Sequence, residues 1–234
     1  MCSRGYRRLF KFNLGRTRYK DIWDLQKKLV VLRHQSKIPD CLLLTEHEPV
    51  ITMGRANSHS NILCSADELT KRKIELFEIE RGGDVTFHGP GQLVVYPIVD
   101  LTQRGRDLHL YLRDIEQLII DTLAELGLEA GTKKGLTGVW VKDHKLAAIG
   151  VAVSRWITYH GLALNVNTNL DYFKLINPCG ITQYPVGSIA QMMGHEYALG
   201  EIADLLADTF ARSYNYEMEE VADPSVVLSE AATT

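Results

Sequence analysis

The sequence predicts an α/β (α+β) protein of one domain, in which helices flank a mixed β-sheet. The chain has 234 residues, of which 45% are hydrophobic, and this is enough to bury one continuous core. Apolar side chains recur at helical spacing through residues 107–126 and 198–214. Between Leu136 and Asn165, short β-branched runs alternate with turns, which is typical of a β-meander.

The remaining elements follow from the same two periodicities. Gly127 comes directly after the helix at 107–126 and is a typical helix stop, whereas Ser65 with Glu68 has the spacing of a capping box at a helix start. His47 is expected in a loop between two short strands. In chain order, the other expected elements are strands at 8–14, 41–45, 50–53, 74–80 and 92–99, a helix at 19–37 and a helical turn at 169–176.

The carboxyl-terminal residues lack this periodicity. After Val221 few apolar residues remain at regular spacing. We therefore expect a single domain at 1–220 and a loose C-terminal tail at 221–234.

Charge and cysteine usage exclude several classes of protein. A net charge of -3 provides no basic field for phosphates, so nucleic acid is not an expected partner. The four cysteines lack C-x-x-C pairs and metal-ligand spacing, which argues against a disulfide framework and a structural metal. Neither a signal peptide nor an apolar run of ~20 residues is present, so no membrane association is expected. These features predict a cytoplasmic protein.

One stretch carries an unusual density of glycine. Four glycines, Arg81 and His88 lie between the strand-like runs 74–80 and 92–99. Such a connection can present backbone N–H groups and an arginine to a polar ligand beside an apolar wall, since glycine permits close approach of the backbone. A plain hairpin turn is the alternative, although it needs only one or two glycines. The pattern matches neither G-x-G-x-x-G nor a P-loop, so we expect a binding loop that is not a nucleotide motif.

Two segments resemble one family of enzymes. The stretch RGGDVTFHGPGQLVVYPI, residues 81–98, looks like the signature of the octanoyl-carrier-protein:protein octanoyltransferases of the biotin/lipoate ligase superfamily. The stretch from Lys145 to Asn165, followed by Asn-Pro-Cys-Gly-Ile at 177–181, is similar to the same family. With the flanking strands, these matches cover about half of the chain. Small departures from the family pattern stand at Phe87, Val95 and Asn169, and at 185–187 after the cysteine.

The resemblance assigns roles to individual residues. It implies that Cys179 is the acyl-thioester nucleophile and that Lys145 lowers the pKa of its thiol. A lone cysteine is more often a small buried hydrophobe and a lysine more often lies on the surface, so both roles depend on the resemblance. The implied substrate-binding residues are Arg81, Gly82, Gly83, Asp84, Val85, Thr86, Phe87 and His88, then Ala148, Ile149 and Gly150, and finally Gly161, Leu162 and Ala163.

The chemistry explains why these residue types are needed. A cysteine thiol is mostly protonated at neutral pH, whereas the thiolate attacks a thioester, so a neighbouring ammonium promotes the reaction. Once the thiolate is acylated, the lysine can accept a proton from the incoming amine. His88 and His160 each precede a glycine in the matched segments. We expect His88 to line the site without transferring protons.

The resemblance therefore implies an acyltransferase. It would transfer an octanoyl (or lipoyl) group from octanoyl-acyl carrier protein to a specific lysine of apo lipoyl domains. These acceptors belong to 2-oxoacid dehydrogenase complexes and the glycine cleavage H protein, and the chemistry requires no metal, ATP or redox cofactor. An ATP-dependent lipoate or biotin ligase on the same fold, or a non-catalytic lipoyl-domain binding protein, remains an alternative. Cys179 argues against the first, and Cys179 with Lys145 against the second.

Overall fold

The computed structural model describes residues 6–56, 59–178 and 184–233. Its strands are β1 (Arg7–Thr17), β2 (Asp40–His47), β3 (Val50–Met53), β4 (Glu75–Glu78), β5 (Val85–His88), β6 (Gln92–Ile98), β7 (Ala130–Gly131), β8 (Val139–Val141), β9 (His144–Ser154), β10 (Ile157–Asn165) and β11 (Tyr216–Glu220). Its α-helices are α1 (Tyr19–His34), α2 (Ala66–Lys71), α3 (Leu108–Glu125), α4 (Ile189–Met193), α5 (Leu199–Tyr214) and α6 (Pro224–Thr233). Short 3-10 helices occupy His59–Asn61, Leu101–Arg104 and Leu170–Leu175.

The strands form two sheets. The main sheet has eight strands in the order β11-β1-β2-β6-β10-β9-β8-β7, and the small sheet has three in the order β4-β3-β5. β1 pairs in parallel with both β2 and β11, while the other pairs of the main sheet are antiparallel. The predicted mixed sheet and the meander of β8, β9 and β10 are therefore confirmed.

Helices cover both faces of the main sheet because its central strands are apolar on both sides. Along β2, Leu42 and Leu44 face the cluster formed with α3 and α5, whereas Cys41 and Leu43 face the cluster formed with α1. This alternation is the period of two expected of a strand. The flanking helices were predicted correctly, and α3 begins where the Asp107 side chain accepts a hydrogen bond from the Leu110 amide (2.9 Å).

Two expectations about loops are corrected. The glycine-rich connection contains β5, a buried strand that pairs with β3, so only its two ends are loops. His47 is the last residue of β2 and is fully buried. Its imidazole lies within 2.8 Å of the Tyr96 hydroxyl, and this hydrogen bond is what allows a polar ring to be buried there.

The expected loose tail is also corrected. Residues Pro224–Thr233 form α6, and Val227 and Ala231, which are one turn apart, are buried in the same cluster as Leu29 and Val30 of α1. Lys37 Nζ donates a hydrogen bond to the carbonyl of Ala231 (2.8 Å). Two apolar residues at i and i+4 are enough to attach a short helix to an existing apolar face. Across the described ranges, no helix combines the length and the apolar character needed to cross a membrane.

Candidate functional site

A cavity of about 330 Å³ lies where β6, β9 and β10 of the main sheet meet the glycine-rich segment and the amino-terminal turns of α1 and α3. Its wall is mostly apolar. Of the residues predicted from sequence, the cavity is lined by Arg81, Gly82, Gly83, Thr86, His88, Lys145, Ala148, Ile149, Gly150, Gly161, Leu162 and Ala163. The segments that are far apart in sequence are thus brought to one site, since Gly150 pairs with Gly161 and Ala148 with Ala163 across β9 and β10.

Three residues of the predicted binding segment face elsewhere. Side chains alternate along β5, so Thr86 and His88 reach the cavity while Val85 and Phe87 point to the opposite side. Phe87 is stacked on Tyr172 with ring centroids 4.6 Å apart, and Val85 belongs to the same apolar cluster. Asp84 accepts a short hydrogen bond from the Asn61 amide. Asp84, Val85 and Phe87 therefore do not line this cavity.

Cys179 lies outside the described residues. Pro178, its neighbour in sequence, lines a smaller cavity of about 20 Å³. This smaller cavity shares Thr86, Lys145, Ala148 and Ala163 with the larger one.

Lys145 is buried at the start of β9, with 8% of its surface exposed. Its Nζ lies 5.2 Å from the centroid of the Trp140 ring, within the range of a cation–π interaction. Its backbone is held on both sides, since its N–H donates to the Pro185 carbonyl (2.8 Å) and its C=O accepts from Gly187 (3.0 Å). A Cβ at Gly138 would come within 2.7 Å of Lys145 Cε, so only glycine leaves room for this side chain.

Arg81 contributes a second buried cation. Its Nη2 donates to the carbonyl (2.7 Å) and hydroxyl (3.0 Å) oxygens of Thr52, and its Nη1 donates to the Gly82 carbonyl (3.1 Å). A Cβ at Gly150 would lie 2.8 Å from Arg81 Cδ, and a Cβ at Gly54 would lie 2.9 Å from Arg81 Nη1. These two glycines allow the side chain to lie flat against the backbone of β9 and of the segment after β3.

Three buried histidines surround Tyr19. Burial lowers the pKa of His47 to about 4, and burial together with His47 lowers the pKa of His88 to about 3. Burial and the Arg81 charge lower the pKa of His160 to about 4, although Glu80 opposes this shift. All three are therefore neutral at neutral pH. In the described part of the chain, no group of three or more His, Cys, Asp or Glu side chains is arranged to hold a metal ion.

The pairing of β10 with β6 extends only to Leu162 and Val95, whereas its pairing with β9 continues through His160. The His160 amide donates to Gln26 Oε1 of α1 (2.7 Å). His160 adopts a left-handed backbone conformation (φ 56°). The next residue, Gly161, lines the cavity.

Sequence reasoning missed several residues of the wall. Tyr19 was predicted only as the first residue of a helix, yet it lines the cavity and stacks on His88 with an interplanar angle of 5°. Tyr96 lies in the strand after the glycine-rich segment, where alternation relative to Val94 would have indicated the same face. Leu108, Leu112 and Leu136 also line the cavity, and their contribution depends on tertiary packing that no local pattern reveals.

We expect Gly161→Ala to destabilise the protein by about 1–3 kcal/mol, because a Cβ there would lie 2.2 Å from the Val95 carbonyl oxygen and 2.7 Å from Pro97 Cδ. Denaturant unfolding measures the change. The matched control is Gly200→Ala on α5, where a Cβ meets nothing within 4 Å, so it should be neutral or stabilising by up to about 1 kcal/mol. Equal stabilities of the two variants would contradict the close packing described for β10.

The sequence model of the family described as lipoyl protein ligase A/B catalytic domain matches residues 18–211, and the chain belongs to this family. A lipoate protein ligase structure from T. acidophilum with bound lipoic acid superposes with a TM-score of 0.72, covering 97% of this chain and 94% of that one at 17% identity. That likeness shows the fold.

Relatives with higher identity define the branch of the family. The chain is 49% identical to an octanoyltransferase of Solibacter usitatus, over 88% of this chain and 92% of that protein. It is 42% identical to an octanoyltransferase of Desulforamulus reducens, over 92% and 95% of the respective chains. The assignment to the octanoyltransferases made from sequence is confirmed, and with it the prediction of an enzyme of the acyltransferase class.

Proposed function

We propose that this enzyme transfers an octanoyl (or lipoyl) group from acyl carrier protein to a specific lysine of lipoyl domains, through a thioester on Cys179. The observation that supports this most directly is the position of Lys145. This buried lysine lines both the apolar cavity and the smaller cavity to which Pro178, the residue before Cys179, contributes. An acyl chain needs an apolar slot, and a thiolate needs a nearby cation.

In the first half-reaction, the Cys179 thiolate attacks the thioester carbonyl carbon of the octanoyl carrier. A bond forms between Cys179 Sγ and the acyl carbon, and the bond from that carbon to the carrier sulfur breaks. The carrier thiolate takes a proton from the Lys145 ammonium and leaves as a thiol. The products are the acyl-enzyme, a free carrier thiol and a neutral Lys145.

In the second half-reaction, the ε-amine of the acceptor lysine attacks the same carbon. Neutral Lys145 accepts the proton that the amine loses, and Cys179 leaves as a thiolate. An amide is formed, and both enzyme groups return to their starting ionisation. The donors and acceptors are octanoyl carrier protein and the apo lipoyl domains of 2-oxoacid dehydrogenase complexes and the glycine cleavage H protein.

The wall of the cavity suits a linear acyl chain. Small residues at 148, 150, 161 and 163 expose the backbone of two adjacent strands, and Ile149 and Leu162 supply apolar contact. Arg81, held by Thr52, lies beside this slot as a fixed positive charge. The described cysteines Cys41 and Cys64 are free thiols, which supports a reducing compartment such as the cytoplasm.

Intact-protein mass spectrometry tests the proposal. Incubation with octanoyl carrier protein alone, without ATP, is expected to add one octanoyl group that hydroxylamine removes. Cys179→Ser should abolish this labile adduct, whereas the control Cys64→Ser, at a half-buried cysteine beside α2, should retain it. Absence of the adduct on the wild type, or its persistence on Cys179→Ser, would refute the thioester mechanism. Acylation only with ATP and free acid would favour a ligase.

A further inference from the structure

A continuous line of hydrogen bonds between buried side chains joins Arg81 to the segment beside Lys145. It runs from Arg81 to Thr52, His88, Gln92 and Asn165, and all five side chains are at least nine-tenths buried. None of Thr52, Gln92 and Asn165 was predicted from sequence to belong to the site. This line of hydrogen bonds ends at the carbonyl oxygen of Gly187, to which Asn165 Nδ2 donates (3.0 Å).

The chemistry of the donors fixes the direction of each bond. Arginine has no acceptor, so the Thr52 hydroxyl accepts from Arg81 Nη2 (3.0 Å). A neutral His88 has a single N–H, which points to Gln92, so the Thr52 hydroxyl donates to His88 Nε2 (3.4 Å). Gln92 Oε1 can only accept, so the His88 Nδ1–H donates to it (2.7 Å). Gln92 Nε2 then donates to Asn165 Oδ1 (2.8 Å). Every bond therefore points from Arg81 toward Gly187.

The hydrogen-bond partners determine the tautomer of His88. Burial lowers its pKa to about 3, so the ring is neutral at neutral pH, with its one proton on the Nδ1 that donates to Gln92 and its Nε2 accepting. Both ring nitrogens are occupied by Thr52 and Gln92. Neither nitrogen is therefore left to bind a ligand in the cavity, which His88 lines together with Tyr19, whose ring lies parallel to it (interplanar angle 5°). His88 contributes a flat wall to the cavity.

The Asn165 end of this line of hydrogen bonds is coupled to the backbone of Lys145. Asn165 holds Gly187, and the N–H of Gly187 donates to the Lys145 carbonyl (3.0 Å). The N–H of Lys145 in turn donates to the Pro185 carbonyl (2.8 Å). The same line of bonds thus fixes a buried arginine at one end of the site and the backbone around the buried lysine at the other.

We propose that Thr52, Gln92 and Asn165 are positioning residues that, through His88, hold Arg81 and the 185–187 segment beside Lys145 in one relative geometry. Their effect on catalysis rests on the proposed function, but the state of His88 does not. In a buried line of hydrogen bonds that all point the same way, each bond polarises its neighbours. Such a line resists rearrangement, because breaking one bond leaves a buried donor and a buried acceptor with neither a partner nor water.

The first test uses the state of His88 in the resting protein. In protein labelled with ¹⁵N-histidine, with the His88 signals identified from His88→Gln, we expect a protonated Nδ1 and an unprotonated Nε2 that accepts a hydrogen bond at neutral pH. In Thr52→Val the Nε2 resonance should move to that of a nitrogen without a donor, and Thr52→Ser should restore it. A protonated Nε2 in the wild type, or an unmoved Nε2 in Thr52→Val, would overturn the proposal.

The second test uses turnover. Thr52→Val keeps the shape of the side chain but removes the hydroxyl, and it should lower kcat for octanoyl transfer roughly 10- to 100-fold, since small misplacements of reacting groups are costly. Thr52→Ser should recover most of the rate. The matched control is Thr209→Val on α5, which also removes a buried hydroxyl that accepts from an arginine (Arg212, 3.0 Å) and donates to a carbonyl (Leu205, 2.8 Å).

The outcomes separate the two proposals. If Thr52→Val turns over at the wild-type rate, the positioning role is wrong. It is also wrong if the kcat of Thr209→Val falls as much as that of Thr52→Val while the two variants have equal thermal stability. If the wild type forms no acyl adduct, the proposed function fails, and the ¹⁵N measurement still decides whether the hydrogen-bond chain exists as described.

Discussion

Replacing Lys145 with methionine is expected to lower octanoyl transfer by at least about 100-fold, because it removes the cation and the proton acceptor at once while keeping the apolar stem. The stem is buried between Trp140 and Gly138, so methionine fits the same space. The pH midpoint of Cys179 alkylation should rise, with each pH unit representing about 1.4 kcal/mol of lost thiolate stabilisation. The rate of Cys179 alkylation, measured at a series of pH values, gives this midpoint.

Lys133→Met is the matched control. Lys133 also has its Nζ near an aromatic ring, 4.1 Å from the centroid of Tyr184, but its partner is the exposed carboxylate of Asp143 (2.9 Å). This variant should leave the alkylation midpoint unchanged. An equal shift in both variants would show that any nearby positive charge acts on Cys179, and an unmoved midpoint in Lys145→Met would eliminate its electrostatic role.

Lys145→Arg separates the two roles of the lysine. The guanidinium keeps the charge, so the alkylation midpoint should stay low, but it does not give up a proton and cannot accept one from the incoming amine. The acyl-enzyme should therefore form and persist, which mass spectrometry detects after the acceptor domain is added. Normal turnover by Lys145→Arg would eliminate the role of Lys145 as a base.

The sequence predicted the long elements well because their periodicity is local. The apolar spacing through α3, together with Gly127 just after it, indicates a helix without knowledge of the rest of the chain. The same local pattern did not reveal α6. Among residues 224–231, Val227 and Ala231 are the buried ones, and the attachment depends on a face that α1 provides. A short helix of this kind is recognisable only when its partner is known.

The candidate site was predicted as segments, and its geometry was not. The glycine-rich segment and the two pairing strands were recognised by resemblance, yet that resemblance did not indicate that Val85 and Phe87 face away from the cavity. Thr52 sits within the apolar run of β3, where a threonine is an ordinary strand residue. Its role depends on the distant Arg81 and His88, and no spacing in the sequence relates these three residues.

The largest stability effect is expected on acidification. The folded-state pKa values of His47, His88 and His160, about 4, 3 and 4, lie below the ordinary value of 6.5. Between these values the unfolded chain binds more protons than the folded one, so stability is fully present above about pH 6.5 and is lost as pH falls. At pH 5, each histidine should have lowered the free energy of unfolding by about 2 kcal/mol, and all three together by about 6 kcal/mol.

A loss of this size is comparable with the total stability of many domains, which is about 5–15 kcal/mol. Most carboxylates titrate below pH 5, so the window from pH 6.5 to 5 isolates the histidines. Urea unfolding at a series of pH values measures the slope. His47→Gln should reduce the loss by about a third, because glutamine binds no proton in either state. A stability that is flat across this window would show that the three rings are protonated in the folded protein, and the neutral ring derived for His88 would then be wrong.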